Sequence, residues 1–213
     1  MNRFPFLSSF LFLVIFLPQA FPQTPLTPAV MQSAHAEKIH IEGIPNTGKL
    51  NTHLYRGAQP NLSAFAELKK MGVTTVVSLR LEHDADIAAE RQQVESLGLR
   101  FVHIPVGGFS APSNAQIIQF LSIFRDHPAE TVFVHCHYGE DRTGVFIASY
   151  RMTFDHWQSE QAANEMNSFG FNRHWQREMK DYVRDFPARL NSAPDLAQFQ
   201  KTLTLETPPS VLH

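Results

Sequence analysis

Apolar and polar positions fall into two alternating patterns. The run at 73–79 is β-branched and continuous, as expected of a central strand buried on both faces of a parallel sheet, and 99–104 and 131–135 are two further short strand-like runs. Ile39-His40-Ile41 alternates and predicts a further short strand. Between these runs, apolar residues return at helical spacing. Leu62, Phe65, Leu68 and Met71 predict a helix over 61–71 that Gly72 closes. Asp84 or Asp86 caps a helix running to Leu97, and Ser113 caps one through about Phe124, with Ile117, Phe120, Leu121 and Phe124 facing inward. A helix follows from Arg142 to about Phe154. Ser159 then caps another, with Ala162, Ala163 and Met166 inward, and 169–175 leads into a last one ending near Phe186. Strands alternating with helices predict an α/β fold, a central mainly parallel sheet of four to five strands flanked by helices. In such sheets ligands bind beyond the carboxyl ends of the strands. Residues 80–84, 105–112 and 137–142 all sit at such ends and are expected to converge.

The two ends of the chain read differently. Arg3 precedes an apolar run at 10–17, which Phe6 and Leu7 extend. That run is shorter than the ~20 residues that span a bilayer, so residues 1–20 read as a signal peptide. Export to the periplasm or beyond is the expectation, with an N-terminal membrane anchor if the signal stays uncleaved. Cleavage sites of suitable form are Pro18-Gln19-Ala20 and Ala34-His35-Ala36. Residues 21–36 are rich in Pro, Thr and Gln and predict a flexible linker. The folded domain is expected over 37–190. Residues 191–213 are expected as a loosely held tail with a short helix at 196–203.

Composition narrows the function. With 43% hydrophobic residues in 213, a full core is available. A formal charge of −2 lacks the basic surplus of a nucleic-acid binder. The one cysteine rules out a disulfide within the chain. Adjacent residues such as His135-Cys136-His137 cannot all converge on one ion, and no HExxH pattern occurs, so neither a metal nor a cofactor is expected.

The stretch 132–148 carries the chemistry. It reads as a buried strand, a tight polar loop and the first turns of a helix, with Cys136 at the strand–loop junction and Arg142 where the helix begins. A loop running into a helix N-terminus presents unpaired backbone N–H groups and the positive end of the helix dipole, a setting that binds a dianion. The same field favours the thiolate of Cys136, the nucleophilic form. Arg142 offers a planar fork for two phosphate oxygens. Gly139 lets the loop turn where a Cβ would clash, and Gly144 lets the helix pack closely on the sheet. Thr143 is placed to offer its hydroxyl to the sulfur. Residues 137–143, namely His137, Tyr138, Gly139, Glu140, Asp141, Arg142 and Thr143, are the expected substrate-binding set.

His135-Cys136, five intervening residues, then Arg142-Thr143-Gly144 resembles the signature of the cysteine-based tyrosine and dual-specificity phosphatases. Tyr55-Arg56-Gly57-Ala58-Gln59-Pro60 is similar to a stretch near the start of many such domains, and the likeness extends over roughly 50–187. Tyr55 and Arg56 read as structural, tying the first strand to the core. The resemblance implies metal-independent hydrolysis of phosphomonoesters on a phosphorylated protein or a small molecule, through a phosphocysteine on Cys136. It also implies an aspartate general acid on the loop at 105–112. That loop holds no acid here. Asp141 is the first candidate, followed by Glu82, Asp84 and Asp86. General acid catalysis contributes ~100- to 10,000-fold, and a phenolic leaving group needs it less, which favours aryl phosphates. Two other readings fit the same fold: an inositol phosphate or pyrophosphate phosphatase, and a phosphate-binding module without activity. Glu140 and Asp141 oppose the first by repelling a polyanionic ring.

Overall fold

The computed structural model describes residues 33–81, 87–171 and 175–200. The expected signal at 1–20, residues 21–32 of the expected linker, residues 201–213 of the tail, and Glu82, Asp84 and Asp86 lie outside the described residues. The described residues belong to one compact unit.

Four strands form the parallel core of the sheet: β3 (Leu54–Gly57), β4 (Thr75–Ser78), β5 (Arg100–His103) and β6 (Val132–His135). Two further strands of two residues each, β1 (Glu37–Lys38) and β2 (Gly48–Lys49), add an antiparallel edge. The spatial order is β1-β2-β3-β6-β4-β5. The edge pair differs from the strand expected at 39–41. Ile41 makes only an isolated bridge to Ile44, and both side chains turn into the core. Strands this short carry no readable periodicity.

The helices are α1 (Phe65–Lys70), α2 (Ile87–Ser96), α3 (Asn114–Asp126), α4 (Asp141–Phe154), α5 (Ser159–Ser168) and α6 (Arg177–Ser192). Side chains alternate across the sheet. Val132, Val134 and Val77 join the core formed with α3, α4, α5 and α6, while Phe133, Val76 and Tyr55 join the core under α1 and α2. This two-sided burial explains why the strands read as continuous apolar runs.

Among the described helix starts, local side-chain capping is clear at one. Ser113 caps α3 in a reciprocal capping box with Gln116. The cap of α5 is Gln158 rather than Ser159, and its side chain makes no cap hydrogen bond. The first predicted helix is divided: a 3₁₀ turn at Leu62–Ala64 precedes α1, and Leu62 and Met71 face solvent. The last helix runs past Pro187 to Ser192 instead of ending near Phe186. A mid-helix proline costs about 3 kcal/mol, a penalty opposed here by burial of Phe186 and Leu190 on the same face.

Both expected flexible ends are partly docked. Leu196 and Phe199 are buried in the α3–α6 core, with a 3₁₀ turn at Ala197–Phe199. At the other end, Arg151 donates to Ala34 O (3.0 Å) and Ser33 Oγ (3.3 Å), and the Ala36 N–H donates to Glu165 Oε2 (2.7 Å). Arg151 also pairs with Glu165 (2.8 Å) and Asp155 (2.7 Å). The ordered unit therefore begins before Glu37, because residues 33–36 complete the hydrogen bonding of a buried ion cluster.

Candidate active site

Register brings the carboxyl ends of the parallel strands level. His135 lies opposite both Gly57 and Ser78, and Ser78 opposite His103. The chain leaves β6 at this edge through residues 136–140 and enters α4 at Asp141. Cys136 is 3% exposed, on the floor of a cavity of about 510 Å³. Tyr138 and Glu140 line it from the loop, Asp141 and Arg142 from the first turn of α4, Gly108 and Phe109 from the segment after β5, and Trp175 and Gln176 from just before α6.

The orientation of the loop peptides decides what this cavity can hold. His137 O accepts from the Gln59 N–H (3.1 Å), Tyr138 O from Asn46 Nδ2 (3.2 Å), Gly139 O from Arg56 Nη2 (2.6 Å), and Glu140 O from the Gly144 N–H (2.9 Å). Each carbonyl is thus engaged by groups outside the cavity. In a trans peptide the N–H of the next residue points the opposite way, so the amides of residues 138–141 turn toward the bowl. Gly139 permits this. Its φ is +70°, and a Cβ there would lie 2.5 Å from the Gly57 backbone.

Arg142 lines the cavity together with Cys136, and its Nη1 donates to Leu79 O (3.4 Å) and Val106 O (3.3 Å). These carbonyls sit past the ends of β4 and β5 and steer the guanidinium across the strand edge. Asp141 Oδ2 accepts from Gln176 Nε2 (3.0 Å), which also donates to Gly108 O (2.9 Å). Burial, followed by the charge of Asp141, raises the Glu140 carboxyl above its ordinary range.

Other expected residues take different places. His137 is exposed and stacks edge-on to Tyr138, outside the cavity lining. Thr143 is fully buried and its hydroxyl has no hydrogen-bond partner among the described residues, so the expected bond to the cysteine sulfur is not made. Gly144 admits the side chain of Met166 on α5, whose Cγ would lie 3.2 Å from an added Cβ. The close packing is therefore helix on helix, not helix on sheet. Of the strand-end segment 80–84, Arg80 is buried beneath the loop instead of lining the cavity.

A buried network supports the loop from below. His135 Nε2 meets Glu90 Oε1 at 2.7 Å, Gln59 bridges Glu90 (3.2 Å) and Arg80 (2.8 Å), and Arg80 lies 3.7 Å from Glu90. Burial opposes ionisation of Glu90, but His135, Gln59 and Arg80 outweigh it and hold the carboxyl below its ordinary value. Arg56 is completely buried, with its guanidinium 4.0 Å from the Phe169 ring, and burial lowers its pKa to about 10. Glu90, Trp175 and Gln176 were not legible as site residues. Glu90 sits on a weakly amphipathic helix, and Gln176 reaches the loop from 35 positions away.

A cysteine on a loop of inward amides, between the central strand of a parallel sheet and a helix N-terminus, defines the phosphate loop of the cysteine-dependent phosphatase class. Residues 29–185 match the family model described as DSP-PTPase phosphatase fused to NAD+ kinase, and the chain belongs to this family. Among curated proteins it is similar to the dual specificity protein phosphatase TpbA of Pseudomonas aeruginosa. The identity is 30% over 149 residues in one strain and 31% over 155 in another. Each match takes in 70% of this chain and 62% of the relative, so the chain spans under two thirds of those relatives' length. The crystal structure of P. aeruginosa TpbA superposes with a TM-score of 0.61 at 25% identity, covering 80% of this chain and 97% of that one. A TpbA variant solved in complex with pTyr has the same TM-score at 24% identity, covering 82% and 98%. The core catalytic domain of the PP-IP phosphatase SIW14 from S. cerevisiae shares the fold, with a TM-score of 0.56 at 17% identity over 70% and 96% of the two chains.

Proposed function

We propose that this protein is a phosphomonoesterase acting through a phosphocysteine, with phosphotyrosine in proteins as its main substrate. The observation that carries the reading is the outward engagement of the carbonyls of residues 137–140, which leaves amides to receive a dianion above Cys136. In the first step the Cys136 thiolate forms an S–P bond as the P–O bond to the leaving oxygen breaks. That oxygen takes a proton from Asp141, the carboxyl that lines the cavity and is held by Gln176. In the second step water attacks phosphorus and returns a proton to Asp141. The S–P bond breaks, freeing phosphate and the thiolate. Arg142 and the loop amides stabilise the equatorial oxygens in both steps. TpbA, crystallised with pTyr, supports the substrate assignment by kinship. An exported location belongs to the same reading and rests on the apolar run at 10–17.

The test compares full-length protein with Cys136→Ser and Arg142→Lys on a phosphotyrosyl peptide and on inositol polyphosphates. Hydrolysis of the peptide, abolished by Cys136→Ser and unaffected by EDTA, is expected. Turnover of the inositol phosphates with none of the peptide would favour the SIW14-like reading. Activity surviving Cys136→Ser would end the phosphocysteine route.

A further inference from the structure

Above the phosphate loop the cavity carries features that dianion binding does not use. Phe109, Tyr138 and Trp175 stand around it with 73%, 67% and 75% of their surfaces exposed. Large aromatic side chains left this open in one place commonly mark a contact surface. Glu140 and Asp141 line the same cavity. Gln176, 4% exposed and also in the lining, spends its amide nitrogen on Gly108 and Asp141, and its Oε1 is buried with no partner among the described residues. The rim is thus rich in acceptors and aromatic faces, while the floor is built for an anion. A rim of this kind repels a second negative group and attracts N–H donors and cations, which also favour aromatic faces.

We propose that this rim selects phosphotyrosyl peptides with Lys or Arg beside the phosphotyrosine, with Phe109, Trp175 and Glu140 as the specificity-determining residues. The inference rests on the phosphatase reading and names the substrate's flanking chemistry. The phosphotyrosine ring passes between Phe109 and Trp175 to reach Cys136, and a neighbouring cationic side chain meets Glu140 and the open aromatic faces. Polyphosphorylated rings are disfavoured because an outer phosphate would face the Glu140 carboxylate.

The experiment measures kcat/KM of the full-length protein on one phosphotyrosyl peptide flanked by Lys, the same peptide flanked by Glu, para-nitrophenyl phosphate and an inositol polyphosphate. A preference for the Lys peptide of about tenfold at low salt is expected, shrinking with added salt as rim charges are screened. Glu140→Gln is expected to reduce the ratio about threefold, and Trp175→Ala to lower turnover of both peptides relative to para-nitrophenyl phosphate. Equal rates on the two peptides, with para-nitrophenyl phosphate still hydrolysed, would overturn this inference and leave the phosphatase reading standing. Preferential hydrolysis of an inositol polyphosphate would also overturn it. Loss of all turnover in the wild type would remove both readings together.

Discussion

Arg56 Nη2 donates to the carbonyl of Gly139, 83 positions later in the chain, at 2.6 Å. This bond holds the peptide between Gly139 and Glu140 with its oxygen away from the cavity and its N–H toward it. Arg56→Met keeps much of the packing on Phe169 but frees the carbonyl to rotate. Loss of one preorganised donor typically lowers kcat ~100- to 1,000-fold. A drop of that size in kcat on para-nitrophenyl phosphate is expected, with alkylation of Cys136 by iodoacetamide retained. Full activity in Arg56→Met would show that the carbonyl needs no clamp.

Gly139→Ala meets two obstacles at once. The left-handed φ of +70° costs a non-glycine residue roughly 1–2 kcal/mol, and the new Cβ would press on the backbone of Gly57 and Ala58. The loop can then close only by moving off β3. Binding of orthovanadate, measured by calorimetry, is expected to disappear along with turnover, and the melting temperature to fall.

Glu90 ties α2 to His135, the last residue of β6 before the loop. Glu90→Gln leaves that contact without its charge and should destabilise the protein by about 3 kcal/mol in chemical unfolding at neutral pH. The folded-state carboxyl lies below its ordinary value of 4.5. Its contribution is therefore complete above that value and is lost as pH falls through the lower one. The stability gap between wild type and Glu90→Gln should narrow in acid, starting below about pH 4.5; a gap that widens there would contradict the pairing.

Gln176 holds Asp141 and Gly108 on one amide nitrogen. If Asp141 delivers the proton, Gln176→Leu should lower kcat about tenfold on an alkyl phosphate, with a much smaller effect on an aryl phosphate of good leaving ability. Asp141→Asn should show the same split more strongly. An equal effect of either variant on both substrates would assign these residues to binding instead of proton transfer.

Residues 33–36 satisfy the buried Arg151–Glu165 pair. A chain starting at Glu37 should be less stable than one starting at Gln32 by at least ~1.5–3 kcal/mol, the contribution of one hydrogen bond to a buried charge. Thermal melts of the two fragments check this directly.

Much of the molecule was legible from its residues. The runs at 73–79, 99–104 and 131–135 contain β4, β5 and β6 because β4 and β6, buried on both faces, are rich in β-branched residues, and β5 is a short apolar run beside them. Ser113 announced α3 because its capping bond is local. That Cys136 and Arg142 line one cavity was readable because the loop, its glycine and the helix start are contiguous in the chain, so their spacing carries the geometry. The two-residue strands β1 and β2 left no such trace, and Pro187 pointed to an end of α6 that packing of Leu190 overrode.

What the chain alone determined is therefore whatever depends on neighbours: the helical period, the cap at Ser113, and a cysteine six residues before a guanidinium. Which way the loop carbonyls turn was decided by Arg56, Asn46 and Gln59, and which carboxylate sits at the cavity's edge in the grip of an amide was decided by Gln176. These partners come from remote segments brought together by a sheet whose order, β3-β6-β4-β5, is not the order of the chain. A polar residue on a helix or strand gives no local sign of the partner it will meet, because that partner is chosen by packing of the whole domain.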